Sequence, residues 1–145
     1  MLRLRSALRR IPVVFAAAGV LAACGDDKTT ENTTLAGTYR ATTFRVTPTG
    51  QSAIDALAQG GTMTLAIAAD NSTNGLLTLP ASVTGGSAFT ASMAGSAVRT
   101  DNTVRFQQTA DSFVRDLSWT VSGSALTVVD QTAGSARFTI TLTRQ

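Results

Sequence analysis

The chain has 145 residues, with 12 Lys and Arg, 9 Asp and Glu, one Cys and no His. Without His, a Ser or Cys nucleophile lacks its usual base, and one Cys cannot build a disulfide framework. Thr, Ser, Gly, Ala and Val dominate and aromatic residues make up only 6%, a composition that favours strands and turns over helices.

The first elements are at the N-terminus. Arg3, Arg5, Arg9 and Arg10 give a positive start, followed by the uncharged run "IPVVFAAAGVLAAC", Ile11 to Cys24. A spanning helix needs about 20 apolar residues, so this run is too short to cross a bilayer and suits the core of a secretory signal. Its last residues, Leu21-Ala22-Ala23-Cys24, resemble the lipobox of bacterial lipoproteins. The resemblance implies that residues 1–23 are a signal peptide. It also implies that Cys24 carries diacylglycerol and an acylated amine after cleavage, anchoring the protein in the cell envelope. In that family Asp directly after the Cys retains a lipoprotein in the inner membrane. Gly25 stands there, which implies the outer membrane rather than the inner.

Cleavage would also change the charge. All nine acids follow Cys24 and four of the twelve cations precede it, which leaves eight cations against nine acids. The excess of positive charge belongs to the leader, so no nucleic-acid partner is expected. "GDDKTTENTT", Gly25 to Thr34, has no aliphatic residue to bury. Residues 24–34 are therefore expected to form a disordered tether.

Residues 35–145 suit one small domain. The period is mostly two, as expected of half-buried strands. The first, "GTYRATTFRVT", changes phase between Tyr39 and Phe44, and a bulge would turn both inward. "QSAIDALAQGG", Gln51 to Gly61, has Ala53, Ile54 and Leu57 at helical spacing and two glycines to stop it, which predicts a two-turn helix after the first strand. "GTMTLAIAADNSTNGLLTLP" predicts two strands, with Met63, Leu65 and Ile67 inward on one, Leu77 and Leu79 on the other, and a turn over Asp70 to Gly75. Pro80 ends the second. "AFTASMAG" and "TVRFQQT" are weaker strands carried by Phe89, Ala91, Met93, Val104 and Phe106. "RDLSWTVSGSALTVVD" reads as a hairpin with Leu117, Trp119, Val121, Leu126 and Val128 inward, and "ARFTITLTR" closes the chain with Phe138, Ile140 and Leu142 inward. The expected fold is all-β: eight antiparallel strands in an up-and-down barrel, with one short helix after the first strand. A β-sandwich is the alternative.

"LAGTYRA" resembles the Gly-x-Trp opening of lipocalin-like barrels, with Tyr39 in the Trp place, and "SWTVSGSALTVVD … ARFTITLTR" is similar to the last three strands of small bacterial lipocalin-like lipoproteins. The resemblance implies a barrel that holds a small apolar ligand.

Little supports catalysis. The single Lys is Lys28, in the tether, and Asp55, Asp101, Asp111, Asp116 and Asp130 fall in the helix, in turns or at strand ends; no enzyme is expected. No cofactor is implied. "DNSTNG" echoes a calcium loop, but Ala81 stands where the bidentate Glu belongs, and Asn, Asp and Gly are also what a turn requires. No metal site is expected.

Binding residues are sought among Trp119, Phe106, Phe138, Met63 and Met93, which either line a pocket or fill the core. Arg40, Arg105, Arg137 and Arg144 alternate with inward residues and are expected to face solvent, leaving a buried carboxylate without a partner. The first functional reading is therefore a lipid-anchored envelope module that holds a small neutral apolar molecule. The second is a structural or interaction module with a filled core, which presents its loops to an envelope protein.

Overall fold

A computed structural model describes residues 34–145. Cys24, the expected signal peptide before it and most of the expected tether fall outside the described residues. Ten strands form one antiparallel sheet: β1 (Gly37–Pro48), β2 (Ile54–Asp55), β3 (Thr62–Ile67), β4 (Ser72–Leu79), β5 (Phe89–Ser92), β6 (Gly95–Thr100), β7 (Thr103–Gln108), β8 (Trp119–Ser122), β9 (Ala125–Ala133) and β10 (Ala136–Arg144). The ring runs β1-β3-β4-β6-β7-β8-β9-β10, and β10 pairs back onto β1. The eight-stranded barrel is therefore closed, while β2 pairs only with β1 and β5 only with β4. Among the described residues no helix is long and apolar enough to cross a membrane.

β1 holds the ring together because it bends. Its register against β10 slips between Ala41 and Thr43, and this bulge turns Tyr39, Ala41, Phe44 and Val46 all inward. The first half of β1 pairs with β3 and the second half with β2. The core is one connected cluster. Trp119, Phe44, Leu65, Leu77, Met93, Val104, Leu117, Leu126, Ile140 and Leu142 are fully buried, and Met63, Ile67, Leu79, Phe106, Val128 and Phe138 pack with them. Phe89 and Val121 are only half-buried. Trp119 meets Phe106 edge-on, with ring centroids 5.6 Å apart.

The helix expected over Gln51 to Gly61 is not there. Ile54 and Asp55 pair with Val46 and Arg45 instead. The Ala56 N–H donates to Phe44 O at 2.8 Å, and the Asp55 carboxylate accepts from the N–H groups of Leu57 and Ala58. The unpaired edge of β1 offers ladder partners that two isolated helical turns cannot match. The helix of this domain is α1 (Ala81–Thr84), one turn long, after β4. Pro80 does end β4 and stands at the start of α1, where a missing N–H costs nothing.

Three strand boundaries also differ. "AFTASMAG" supplies β5, which lies off the ring; the ring strand is β6, "GSAVRT", whose inward residue is only Ala97. Met93 N–H donates to Gly75 O, so β5 and β6 run in turn along the length of β4. The turn before β4 is shorter than expected. Asn71 adopts φ 65°, Thr73 is already inward, and Gly75 lies inside β4 at φ 141°. A Cβ there would meet Thr64 O at 2.2 Å, so the close approach of β3 requires glycine. Finally, Phe113–Asp116 is a 3₁₀ turn and β8 begins only at Trp119.

Candidate binding cleft at the loop end

Antiparallel pairing gives the barrel two unlike ends. One end has only tight connections: Ala68 to Asn71, Asp101-Asn102 and Gly123-Ser124. At the other end lie the segment carrying β2, the segment carrying α1 and β5, the 3₁₀ segment, and the Gly134-Ser135 turn.

The tight end is closed by Arg144. Its guanidinium donates to the carbonyls of Thr34 and Ala36 and to the Tyr39 hydroxyl, and lies 5.6 Å from the Tyr39 ring centroid. The Tyr39 hydroxyl donates in turn to Leu35 O at 2.8 Å. Arg144 is thus half-buried, a correction to its expected solvent-facing position. Alternation itself puts it there, because Arg144 has the parity of Phe138, Ile140 and Leu142 and so continues the inward face of β10, where the incoming chain covers it. Arg40, Arg105 and Arg137 are exposed as expected, and so is Arg45.

The loop end carries a cleft of about 640 Å³. Its apolar walls come from the end of β1 (Val46), the end of β4 (Leu79), α1 (Val83), the start of β5 (Phe89), the 3₁₀ turn (Phe113) and β10 (Phe138). Phe113 stacks on Phe138 with centroids 4.1 Å apart and planes 7° from parallel, and meets Phe44 at 6.3 Å. The 3₁₀ turn carries its ring onto the barrel mouth, which a continuing strand would not do.

The charged residues lining the cleft are Asp111 and Asp116. Arg115 is ion-paired with Asp111 and lines a neighbouring opening. Asp116 has no hydrogen-bond or ion-pair partner among the described residues. Ser112 also lines the cleft; it is 6% exposed, and its Oγ is buried without a hydrogen-bond partner.

The neighbouring opening, about 480 Å³, is lined by Arg105, Phe106, Gln107, Gln108, Thr109 and Arg115. It lies where the wall parts, because β8 pairs with β7 only at Thr103 and Val104. Gln108 is inward and 5% exposed, with both amide atoms unpartnered.

Of the residues sought from sequence, Phe138 lines the cleft and Phe106 the neighbouring opening. Trp119, Met63 and Met93 lie in the packed core with at most 1% exposure and line neither. Sequence reasoning missed Val83, Phe89, Ser112 and Phe113 as cleft residues. Phe113 sits between two non-repeating segments, so no period marks it. The "DSFVRD" stretch does carry a signal: Phe and Val at adjacent positions between charges fit no half-buried strand.

Among the described residues no three of His, Cys, Asp and Glu lie close enough to hold a metal ion. Asp70 is at the tight end, where the Ser72 hydroxyl and then the Ser72 N–H hold its carboxyl below the ordinary value. Comparisons with protein-family models, curated proteins and solved structures found no match to this chain.

Proposed function

We propose that this is a lipid-anchored cell-envelope protein whose lipocalin-like barrel holds a small neutral apolar molecule at its loop end. The observation that carries the reading is the cleft itself. It is roomy and walled by Val46, Leu79, Val83, Phe89, Phe113 and Phe138, and none of its lining residues is Lys or Arg. Small-molecule sites have this chemistry, apolar walls with a few polar groups, at volumes of roughly 300–1,000 Å³. A carboxylate buried there would face Asp111 and Asp116 rather than a cation, which is costly. Fatty acids are therefore excluded and their neutral counterparts admitted. The proposal needs no catalytic residue and no cofactor, and Cys24 is its anchor to the outer membrane.

A photoreactive ten-carbon alcohol carrying a diazirine tests the binding half. Irradiation should label peptides containing Phe89, Phe113 or Phe138, and excess decanol should suppress the label. Label spread evenly over the surface, untouched by decanol, would refute it. Mass spectrometry of the envelope-extracted protein tests the anchor: the expected N-terminus is an acylated Cys24, and an intact Met1 would contradict it. The second reading, an interaction module with a filled core, draws on the packing of Trp119, Met63 and Met93 beneath the cleft. It gains if the photoreactive alcohol leaves the loop end unlabelled.

A further inference from the structure

We infer that the segment from Ala110 to Leu117, which carries the 3₁₀ turn, is a gate that opens as a unit while the rest of the barrel stays folded. The gate is a property of the fold. Its use as the ligand's entrance rests on the binding reading above.

Three observations meet at this segment. The first is its position. Asp111, Ser112, Phe113 and Asp116 line the cleft, and Arg115 lines the neighbouring opening. The segment borders both, so its displacement would join them into one passage.

The second is its attachment. On one side Thr109 donates its N–H and its hydroxyl to Ala94 O, at 3.0 and 3.2 Å. On the other the Gln131 side chain accepts from the Ser118 N–H at 2.8 Å and donates to Ser118 O at 2.6 Å. Between these two ties, among the described residues, no backbone hydrogen bond leaves the segment. Its ion pair, Arg115 with Asp111, is internal. What holds it down is apolar: Val114 and Leu117 are fully buried in the core, and Phe113 stacks on Phe138. A segment with so few backbone ties opens at a lower free energy than the whole domain.

The third is what closure costs. Both amide atoms of Gln108 and the Ser112 Oγ are buried without a hydrogen-bond partner among the described residues. Gln108 ends β7, on the stretch that β8 leaves unpaired, and Ser112 lies in the segment itself. Buried groups without partners destabilise the closed state. Lifting the segment brings water to them. These groups therefore favour opening, while Val114, Leu117 and Phe113 oppose it.

The test reads opening at a thiol in the full-length protein. Val114→Cys places one under the segment, where iodoacetamide reaches it only from the open state. Val128→Cys places one in the core as the reference. The tryptic peptide carrying each thiol separates it from Cys24. When reclosing is fast, the alkylation rate measures the open fraction. The thiol at position 114 should react at least about tenfold faster than the one at 128, because a local opening costs less than global unfolding. Adding Gln108→Leu should slow it about tenfold, the order of effect that one buried unpaired group has. Ser112→Ala should slow it by less, and saturating decanol, packed against Phe113, should slow it as well.

Equal rates at the two thiols would overturn the gate. So would unchanged or faster alkylation with Gln108→Leu and Ser112→Ala, which would show those polar atoms satisfied in the closed state. If the segment opens as described but decanol leaves the rate unchanged, the gate stands and the binding reading falls.

Discussion

The two ends of this barrel are built from the same strands and are finished in opposite ways. At the tight end, turns of two to four residues join the strands, and Arg144 ties the entering chain to the last strand through Thr34, Ala36 and Tyr39. Most polar groups there find partners close by in the fold, the buried Arg144 Nε being the exception. At the loop end β2 and β5 leave the ring, the β7–β8 ladder stops after two residues, and Ser112 and Gln108 keep polar atoms buried without partners. Folding alone does not reward that arrangement, because a buried unpaired polar atom is destabilising. The contrast teaches that the tight end and the packed middle carry stability, while the loop end is where binding would be gained at some cost to it.

The comparison can be broken from either side. The largest effect belongs to the middle. Trp119 is fully buried against Phe106, so Trp119→Ala should cost about 3–5 kcal/mol in urea unfolding. A loss under about 1 kcal/mol would mean the core does not rest on it. Next comes the tight end. Removing Arg144 leaves three acceptors without their charged donor, and hydrogen bonds to charged groups contribute roughly 1.5–3 kcal/mol. Arg144→Ala should lower stability by about 2 kcal/mol without altering labelling at the cleft. A smaller stability effect is expected at the loop end. Phe113 is half-buried and stacked on Phe138, and such a pair adds about 0.5–1.5 kcal/mol. Phe113→Ala should therefore cost roughly 1–2 kcal/mol, the stacked pair together with its half-buried area, but strongly reduce the photolabel. If it destabilised as much as Trp119→Ala, the division between the two regions would fail.

The smallest effect is in acid. Asp70 has its folded pKa below 3.8 because Ser72 hydrogen-bonds its carboxylate. Its contribution is present above the unfolded value and is lost as the pH falls through the folded one. Asp70→Asn should lower stability slightly near pH 7, where the contribution is present, and so slightly flatten the decline below pH 4. A decline that steepens in this variant would contradict the assignment.

Where side chains alternate, the barrel was legible in the sequence. The inward faces of β3, β7 and β10 follow from period two, and the β1 bulge from the spacing of Tyr39 and Phe44. β6 was not legible, because Gly95, Ser96 and Ala97 bury too little to show a face. The spacing of Ala53, Ile54 and Leu57 misled because a helical stripe and a strand followed by a turn place the same few apolar residues. Only the unpaired edge of β1, a tertiary feature, decides between them. The cleft was legible only in part. Large apolar residues on strands point into the core whether or not a ligand exists, so Trp119 and Met63 gave no guide to the mouth. The residues that shape the mouth stand on the 3₁₀ turn, on α1 and at strand ends, where periodicity stops.

The most direct test of the central claim is an amide NMR titration of the isotope-labelled protein with decanol. A site at the loop end predicts shifts at Val83, Phe89, Ser112, Phe113 and Ser135, with Ala69, Asn102 and Ser124 at the tight end unmoved. Shifts confined to the tight end, or none at either end at saturating decanol, would contradict it.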